Sequence, residues 1–249
     1  MIDKLSDNIS ISRQFLRSVN IEADLGRADA LVGYICQDTS KNLIQNISYH
    51  INETRQRAFT CTGPYGGGKS SLALILGSMV SKDKKLRQEA RQILGDVVTK
   101  SIEQAWKTSS DGWLVLPVVG KRDSVVKGIA NSFIKETGQE LKRVSGAQLI
   151  LKLTEEAEAR KNDGVLLIID ELGKYLEAAT QTGDDIYFYQ ELAEAASRCH
   201  GKLIVIGILH QSFEQYANRL GREARNEWAK IQGRYIDIPL IAGSDEIII

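Results

Sequence analysis

The chain is short of the residues that would staple it or pull it toward a charged partner. It has three cysteines in 249 residues, Cys36, Cys61 and Cys199. They show no paired spacing and no CxxC, and with only three histidines a zinc site is disfavoured. Such cysteine usage fits a reducing cytosol. There is no excess of either charge: 32 basic residues meet 32 acidic ones. That removes the global electrostatic case for nucleic acid or an anionic membrane. No apolar run is long enough to span a bilayer, and the first residues are polar with no signal-like segment. No internal repeat or low-complexity stretch stands out. What remains is enough chain for one large α/β domain with its own core. One basic cluster, Lys82, Lys84, Lys85, Arg87 and Arg91, reads as a solvated helix face.

Against that plain background one word is informative. Gly63-Pro64-Tyr65-Gly66-Gly67-Gly68-Lys69-Ser70, followed by Ser71, is GxxxxGKS, the phosphate-binding loop signature. Successive glycines let backbone N–H groups converge on phosphate oxygens with no Cβ in the way. Lys69 is expected to reach the β- and γ-phosphates, and the Ser70 hydroxyl to take a place on Mg²⁺. The context is the required one. A β-favouring run, Arg57 to Thr62, enters the loop, and an apolar helical run, Ser71 to Val80, leaves it. The order strand, glycine loop, helix points the positive helix end at the anion. The cofactors expected are therefore ATP and Mg²⁺.

A second word supports the first. Val165 to Ile169 is continuously apolar and ends in Asp170-Glu171, as a strand buried on both faces of a parallel sheet would. Asp170 is the expected metal-side carboxylate. Glu171 is the expected general base for the attacking water.

The remaining chain alternates strands and helices, which predicts a three-layer α/β fold around a mostly parallel sheet. Helices are expected over 29–35, 40–53, 83–106 (as one long polar region), 124–137, 147–160, 172–179, 184–199, 212–217 and 223–231. Strands are expected over 113–119, 202–209 and 235–239, besides 57–62 and 165–169. Pro117 places its strand at an edge or a bulge. The division predicted is an N-terminal helical extension (1–56), a phosphate-loop ATPase core (57–242), and the start of a following helix or lid (243–249). In that last piece Ser244 is the N-cap and Asp245 and Glu246 fill the first turn. Ending on Ile247-Ile248-Ile249, the chain reads as the N-terminal ATPase module of a longer polypeptide, without a complete C-terminal lid.

Together these words resemble an AAA+ or STAND-type ATPase of the additional-strand branch. Asp24-Leu25-Gly26, Gly33-Tyr34-Ile35, Gly63-Pro64-Tyr65-Gly66, Asp170-Glu171-Leu172-Gly173-Lys174-Tyr175, Leu209-His210-Gln211-Ser212-Phe213 and Gln232-Gly233-Arg234 are similar to stretches of large bacterial ATPases of anti-phage defence and mobile-element loci. The likeness runs over residues 17–249. It implies a γ-phosphate sensor at the tip of the strand after Asp170, here His210 or Gln211, where the branch usually carries Asn, Thr or Ser. It implies that the extension around Tyr34 and Ile35 packs against the base. Gly233-Arg234-Tyr235-Ile236-Asp237 is similar to the Gly-Arg-Phe-Asp stretch of AAA ATPases, so Arg234 is the first choice for an arginine reaching a neighbour's nucleotide, with Arg222 and Arg225 as rivals. A homo-oligomer in the full-length form and an effector such as a nuclease or protease are the implied partners. The polar switch residue expected at the tip of the second strand is not found in Gly120-Lys121-Arg122. The function expected is Mg-dependent ATP hydrolysis that drives or gates a partner, in bacterial genome defence. Alternatives are a slow nucleotide switch and a DNA-stimulated translocase. A small-molecule kinase fits the Asp-Glu pair less well, and an ABC subunit lacks its Leu-Ser-Gly-Gly-Gln signature.

Overall fold

The computed structural model describes residues 19–142, 144–182, 186–212, 215 and 222–240. Within them five strands form one sheet: β1 (Ala58–Thr62), β2 (Leu114–Val119), β3 (Val165–Asp170), β4 (Leu203–Leu209) and β5 (Ile236–Pro239). Their order is β2-β3-β4-β1-β5, and every pairing is parallel. β4 lies between β1 and β3, so the sheet is of the additional-strand, AAA+-like type. β2 is an edge strand, which accommodates Pro117 opposite Ile168.

Helices cover both faces: α1 (Ile21–Asp24), α2 (Asp38–Glu53), α3 (Lys69–Met79), α4 (Lys84–Leu94), α5 (Asp96–Trp106), α6 (Val125–Thr137), α7 (Gly146–Ala159), α8 (Leu172–Thr182), α9 (Tyr187–Arg198) and α10 (Arg222–Gln232). Strand alternation sorts the core into two layers. Val165, Leu167 and Ile169 of β3 pack with Ile129 and Phe133 of α6, Leu149 and Leu153 of α7, and Leu192 of α9. Leu166 and Ile168 point the other way, toward Ile44 and Ile47 of α2, Leu72 and Ile75 of α3, and Ile102 of α5. β3 is therefore buried along its whole length. Thr60 and Thr62 of β1 donate hydroxyl hydrogen bonds to Asp237 of β5 at 2.8 and 3.2 Å, so the aspartate of the last strand clips it to the strand that feeds the loop.

Three expectations change. The helix expected over 29–35 is a 3-10 turn, Ala28–Ala30, followed by a second turn closed by the Tyr34 N–H on the Leu31 carbonyl at 3.2 Å, in which Gly33 takes a positive φ of 76°. The single region 83–106 is two helices broken at Gly95, whose N–H closes α4 on the Arg91 carbonyl. And α1, which the sequence pattern does not announce, is a short helix capped by the Asn20 side chain. On α4, Leu86, Ala90 and Leu94 face inward while the basic residues lie on the solvent side, as a solvated face requires. All three cysteines are buried. Burial pushes the Cys61 thiol up to about 12. No helix among the described residues is long and apolar enough to cross a membrane. The helix expected over 212–217 lies mostly outside the described residues, and residues 1–18 and the expected lid start at 243–249 lie wholly outside them.

Candidate nucleotide site

The C-terminal ends of β1, β3 and β4 open onto a cleft of about 490 Å³, lined by Val19, Asn20, the loop from Tyr65 to Ser71, Val119, Asp170, Glu171 and His210. A parallel sheet binds ligands at this end, where helix N-termini converge. The loop turns through Gly66 (φ 77) and Gly68 (φ 75), the latter the N-cap of α3. These are left-handed conformations that suit glycine and let N–H groups line a concave turn.

Lys69 is 5% exposed. Its Nζ donates to the carbonyls of Gly63 and Pro64, each at 2.6 Å, so the ammonium is held inside the curl of the loop. Burial holds it below the usual lysine value, against the pull of Asp170. Asp170 is also buried. Burial raises its carboxyl, opposed by hydrogen bonds from the Ser70 hydroxyl and the Glu171 N–H; the latter is 2.9 Å from Oδ1. A hydroxyl and a carboxylate thus stand side by side at the mouth of the loop. That is the hard oxygen pair suited to Mg²⁺, which keeps most of its own waters. The loop, the enclosed lysine and this oxygen pair fit a Mg-nucleotide.

Glu171 follows β3 in a left-handed backbone conformation (φ 51). The cause is close packing against the tip of β2. Gly120 N–H donates to the Asp170 carbonyl at 2.7 Å, and a Cβ on Gly120 would stand 2.1 Å from the Glu171 carbonyl oxygen. Only glycine allows that approach. The Glu171 carboxylate pairs through Oε2 with Lys174. Its Oε1 lies 3.8 Å from His210 Nε2, beyond a hydrogen bond. His210 stacks on Tyr65 of the loop, with ring centroids 3.6 Å apart and planes 20° from parallel. Its ring nitrogens are buried with no hydrogen-bond partner among the described residues. Burial first, then the Lys69 charge, holds the imidazole below its usual value.

The remaining candidates lie elsewhere. Gln211 is half-buried beyond the tip of β4 and does not line the cleft. Nor do Tyr34 and Ile35. The Tyr34 hydroxyl is 3.8 Å from where a Cβ on Gly68 would sit, while Ile35 is 77% exposed. Arg234 precedes β5, at the opposite end of the sheet from the cleft. It pairs with Glu194 at 3.1 Å and lines a separate hollow of about 660 Å³ with His50, Arg55 and Arg198. Arg225 is exposed.

Two further residues enter with the structure. Glu22 Oε1 accepts from the Val119 N–H at 2.9 Å, tying α1 to the tip of β2. Lys174 is visible in the sequence only as a cation three residues after Glu171, a spacing that brings side chains together on a helix.

No protein-family model and no curated protein matches the chain. Among solved structures, the ORC2 protein of Aeropyrum pernix, in ADPNP–ADP complexes, is similar, with a TM-score of 0.50 and 12% identity over 84% of this chain and 50% of that one. PCH-2 of C. elegans matches with a TM-score of 0.37 and 15% identity, over 84% of this chain and 41% of that one. The ORC2 likeness and the strand order agree on the AAA+-like fold. The chain spans about half the length of the ORC2 chain.

Proposed function

We propose that the chain binds Mg-ATP and hydrolyses it, in a cycle that drives or gates a partner protein. The observation that carries this is the meeting of Lys69, Ser70, Asp170 and Glu171 around one cleft at the C-terminal ends of adjacent strands. ORC2, solved with ADPNP and ADP, has a similar fold and supports a nucleotide as the ligand. When bound, Mg-ATP supplies the phosphoanhydride and the neutralising charge on its oxygens. Lys69 exchanges its two loop carbonyls for β- and γ-phosphate oxygens. Ser70 and Asp170 would hold the metal and its waters. Glu171 takes the proton of the attacking water on its carboxylate. His210 is uncharged near neutral pH, with one N–H donor and one acceptor nitrogen to orient that water or the γ-phosphate. Tyr34, whose hydroxyl comes near Gly68 of the loop, and the adjacent Ile35 are the residues assigned to adenine.

Arg234 is assigned to a neighbouring copy's nucleotide, which makes the working form a homo-oligomer. An effector such as a nuclease or protease, in genome defence, is read from the sequence resemblance alone. A slow nucleotide switch is the second reading, favoured by the pairing of Glu171 with Lys174. Titrating the purified chain with ATP, with and without Mg²⁺, and following phosphate release separates the outcomes. Mg-dependent binding with steady release supports the hydrolase. Tight binding with negligible release, in an assembled sample, supports the switch. Absence of Mg-dependent binding overturns both.

A further inference from the structure

A second cavity lies between α6, α1 and the edge strand β2. It holds about 220 Å³ and shares no lining residue with the nucleotide cleft. At less than half the volume of that cleft, it suits a molecule smaller than a nucleotide. α6 builds its long wall. Ser124, Gly128, Ser132 and Lys135 follow at steps of three and four, so they share a helix face. Tyr175 crosses this wall at Gly128, where a Cβ would collide with its hydroxyl. That hydroxyl donates to the Val119 carbonyl at 3.1 Å, so the tyrosine is a fixed part of the wall.

Three features of the cavity favour an anion. The first is charge. Lys121, Lys127 and Lys135 meet two carboxylates, Glu22 and Asp123, and both acids are already engaged. Glu22 accepts from the Val119 N–H at 2.9 Å. Asp123 accepts from the Ser124 N–H at 2.9 Å and from Lys127 at 2.7 Å. An ammonium has three donors, so each lysine keeps some to offer. The second feature is the start of α6. Its N-cap, Ser124, makes no side-chain capping bond, and the positive helix end adds to the lysines. The third is Ser132. It is 8% exposed and lines the cavity, yet its Oγ has no hydrogen-bond partner among the described residues. A buried hydroxyl without a partner is destabilising, and an anion seated against it supplies the acceptor.

We propose that this cavity is a second ligand site for a small phosphate-bearing molecule: the lysines and the α6 N-terminus bind its charge, and Ser132 donates to one of its oxygens. No arginine lines the cavity, so the planar fork that matches a carboxylate is missing, while lysines bind phosphate as point charges. The site stands apart from Lys69, Asp170 and Glu171 and does not depend on the nucleotide reading.

The test is calorimetry on the purified chain, with glycerol 3-phosphate as probe and glycerol as the uncharged control. Lys69→Ala should bind the probe as tightly as wild type, because the phosphate loop is not the site. Lys127→Gln/Lys135→Gln should weaken binding about tenfold or more, and Ser132→Ala about threefold to tenfold, the scales of charge-assisted and neutral hydrogen bonds. Without probe, Ser132→Ala should melt no lower than wild type, since it removes an unsatisfied hydroxyl. Lost affinity with kept stability is what a ligand contact predicts and a packing role does not. Binding that vanishes in Lys69→Ala places the probe on the phosphate loop and overturns the site. Binding that fades with the lysines but ignores Ser132→Ala is general surface attraction and overturns it too. Tighter binding of lactate, a carboxylate on three carbons, overturns the phosphate assignment. No saturable binding up to about 10 mM, or equal binding of glycerol, overturns the proposal outright.

Discussion

The two ends of the sheet present opposite chemistry. At the C-terminal ends of β1, β3 and β4, Asp170 and Glu171 face one enclosed lysine, Lys69. Beside the start of β5, Arg55, Arg198 and Arg234 line a hollow together with Glu194. At each end a glutamate is held by cations, but differently. Glu171 is paired by a lysine on the helix it begins. Glu194 is paired by Arg198 on its own helix at 2.7 Å and by Arg234 from the far side of the chain at 3.1 Å. A hydrogen bond from Gln190, then the two arginines, hold the Glu194 carboxyl below the usual range. The two hollows differ in their charged residues: Asp170 and Glu171 with Lys69 and Lys174 at one, and Glu194 with three arginines at the other. An arginine at this end lies away from the chain's own nucleotide cleft, since the sheet stands between them.

The comparison breaks most sharply at Arg234. Its pairing with Glu194 is half-exposed and, like most surface ion pairs, adds little to the fold. Arg234→Ala should melt like wild type. In an assembled sample it should lose turnover by about 10³-fold, the lower end of what such arginines supply in other NTPases, with ATP affinity kept. Mixing Arg234→Ala with Glu171→Gln chains should recover part of the activity, because some interfaces then pair an intact Arg234 with an intact Glu171. Phosphate release that stays independent of concentration, with no rescue on mixing, would falsify the trans assignment.

At the acid end, Glu171→Gln keeps shape and removes the base. Turnover should fall about 10²-fold while Mg-ATP still binds, which calorimetry on the same sample checks. Lys69→Ala acts one step earlier. Charge-assisted contacts contribute about 1.5–3 kcal/mol each, so its Mg-ATP affinity should drop roughly 10- to 100-fold. Circular dichroism should show a folded chain, since water can replace the ammonium on the carbonyls of Gly63 and Pro64. A Lys69→Ala chain that binds as wild type would remove the phosphate assignment.

The acid end is more legible in the sequence than the arginine end, for a physical reason. GxxxxGKS and the Asp170-Glu171 pair are contiguous words, because a loop and a strand tip bring neighbouring residues to one ligand. The strands announce themselves by apolar runs, and Pro117 marks the edge. The insertion of β4 between β1 and β3 is a tertiary choice that no local word states, although the sequence resemblance implies it. So is the pairing of Arg234 with Glu194. The break at Gly95 is hidden because the polar helical pattern continues on both sides of it. Residues 29–35 read as helix because Asp29 and the apolar residues after it fit a helical face, while Gly33 needs a positive φ. Lys174 is inconspicuous since its weight depends on the left-handed turn at Glu171, which only the close approach of Gly120 makes visible.

The smallest expected effect sharpens the comparison through pH. The arginines keep their charge at any ordinary pH, whereas His210 at the acid end is held off its usual value. Burial and Lys69 hold its imidazole below the usual 6.5. Glu171 and Asp170 pull it up, and Lys174 pushes it down again. The folded chain thus binds this proton less readily than the unfolded chain does. The stability that His210 contributes is complete above the unfolded value, and is lost as pH falls below about 6.5 toward the folded value. His210→Gln keeps a polar group but does not titrate. Between about pH 7.5 and about pH 5.5 the wild type should lose more of its melting temperature than the variant does. The variant also loses the stack on Tyr65, so its melting temperature should be lower at every pH, and the slope alone is diagnostic. Parallel pH slopes for the two chains would mean that His210 titrates alike in the folded and unfolded states, and that the imidazole is not held uncharged beside Glu171.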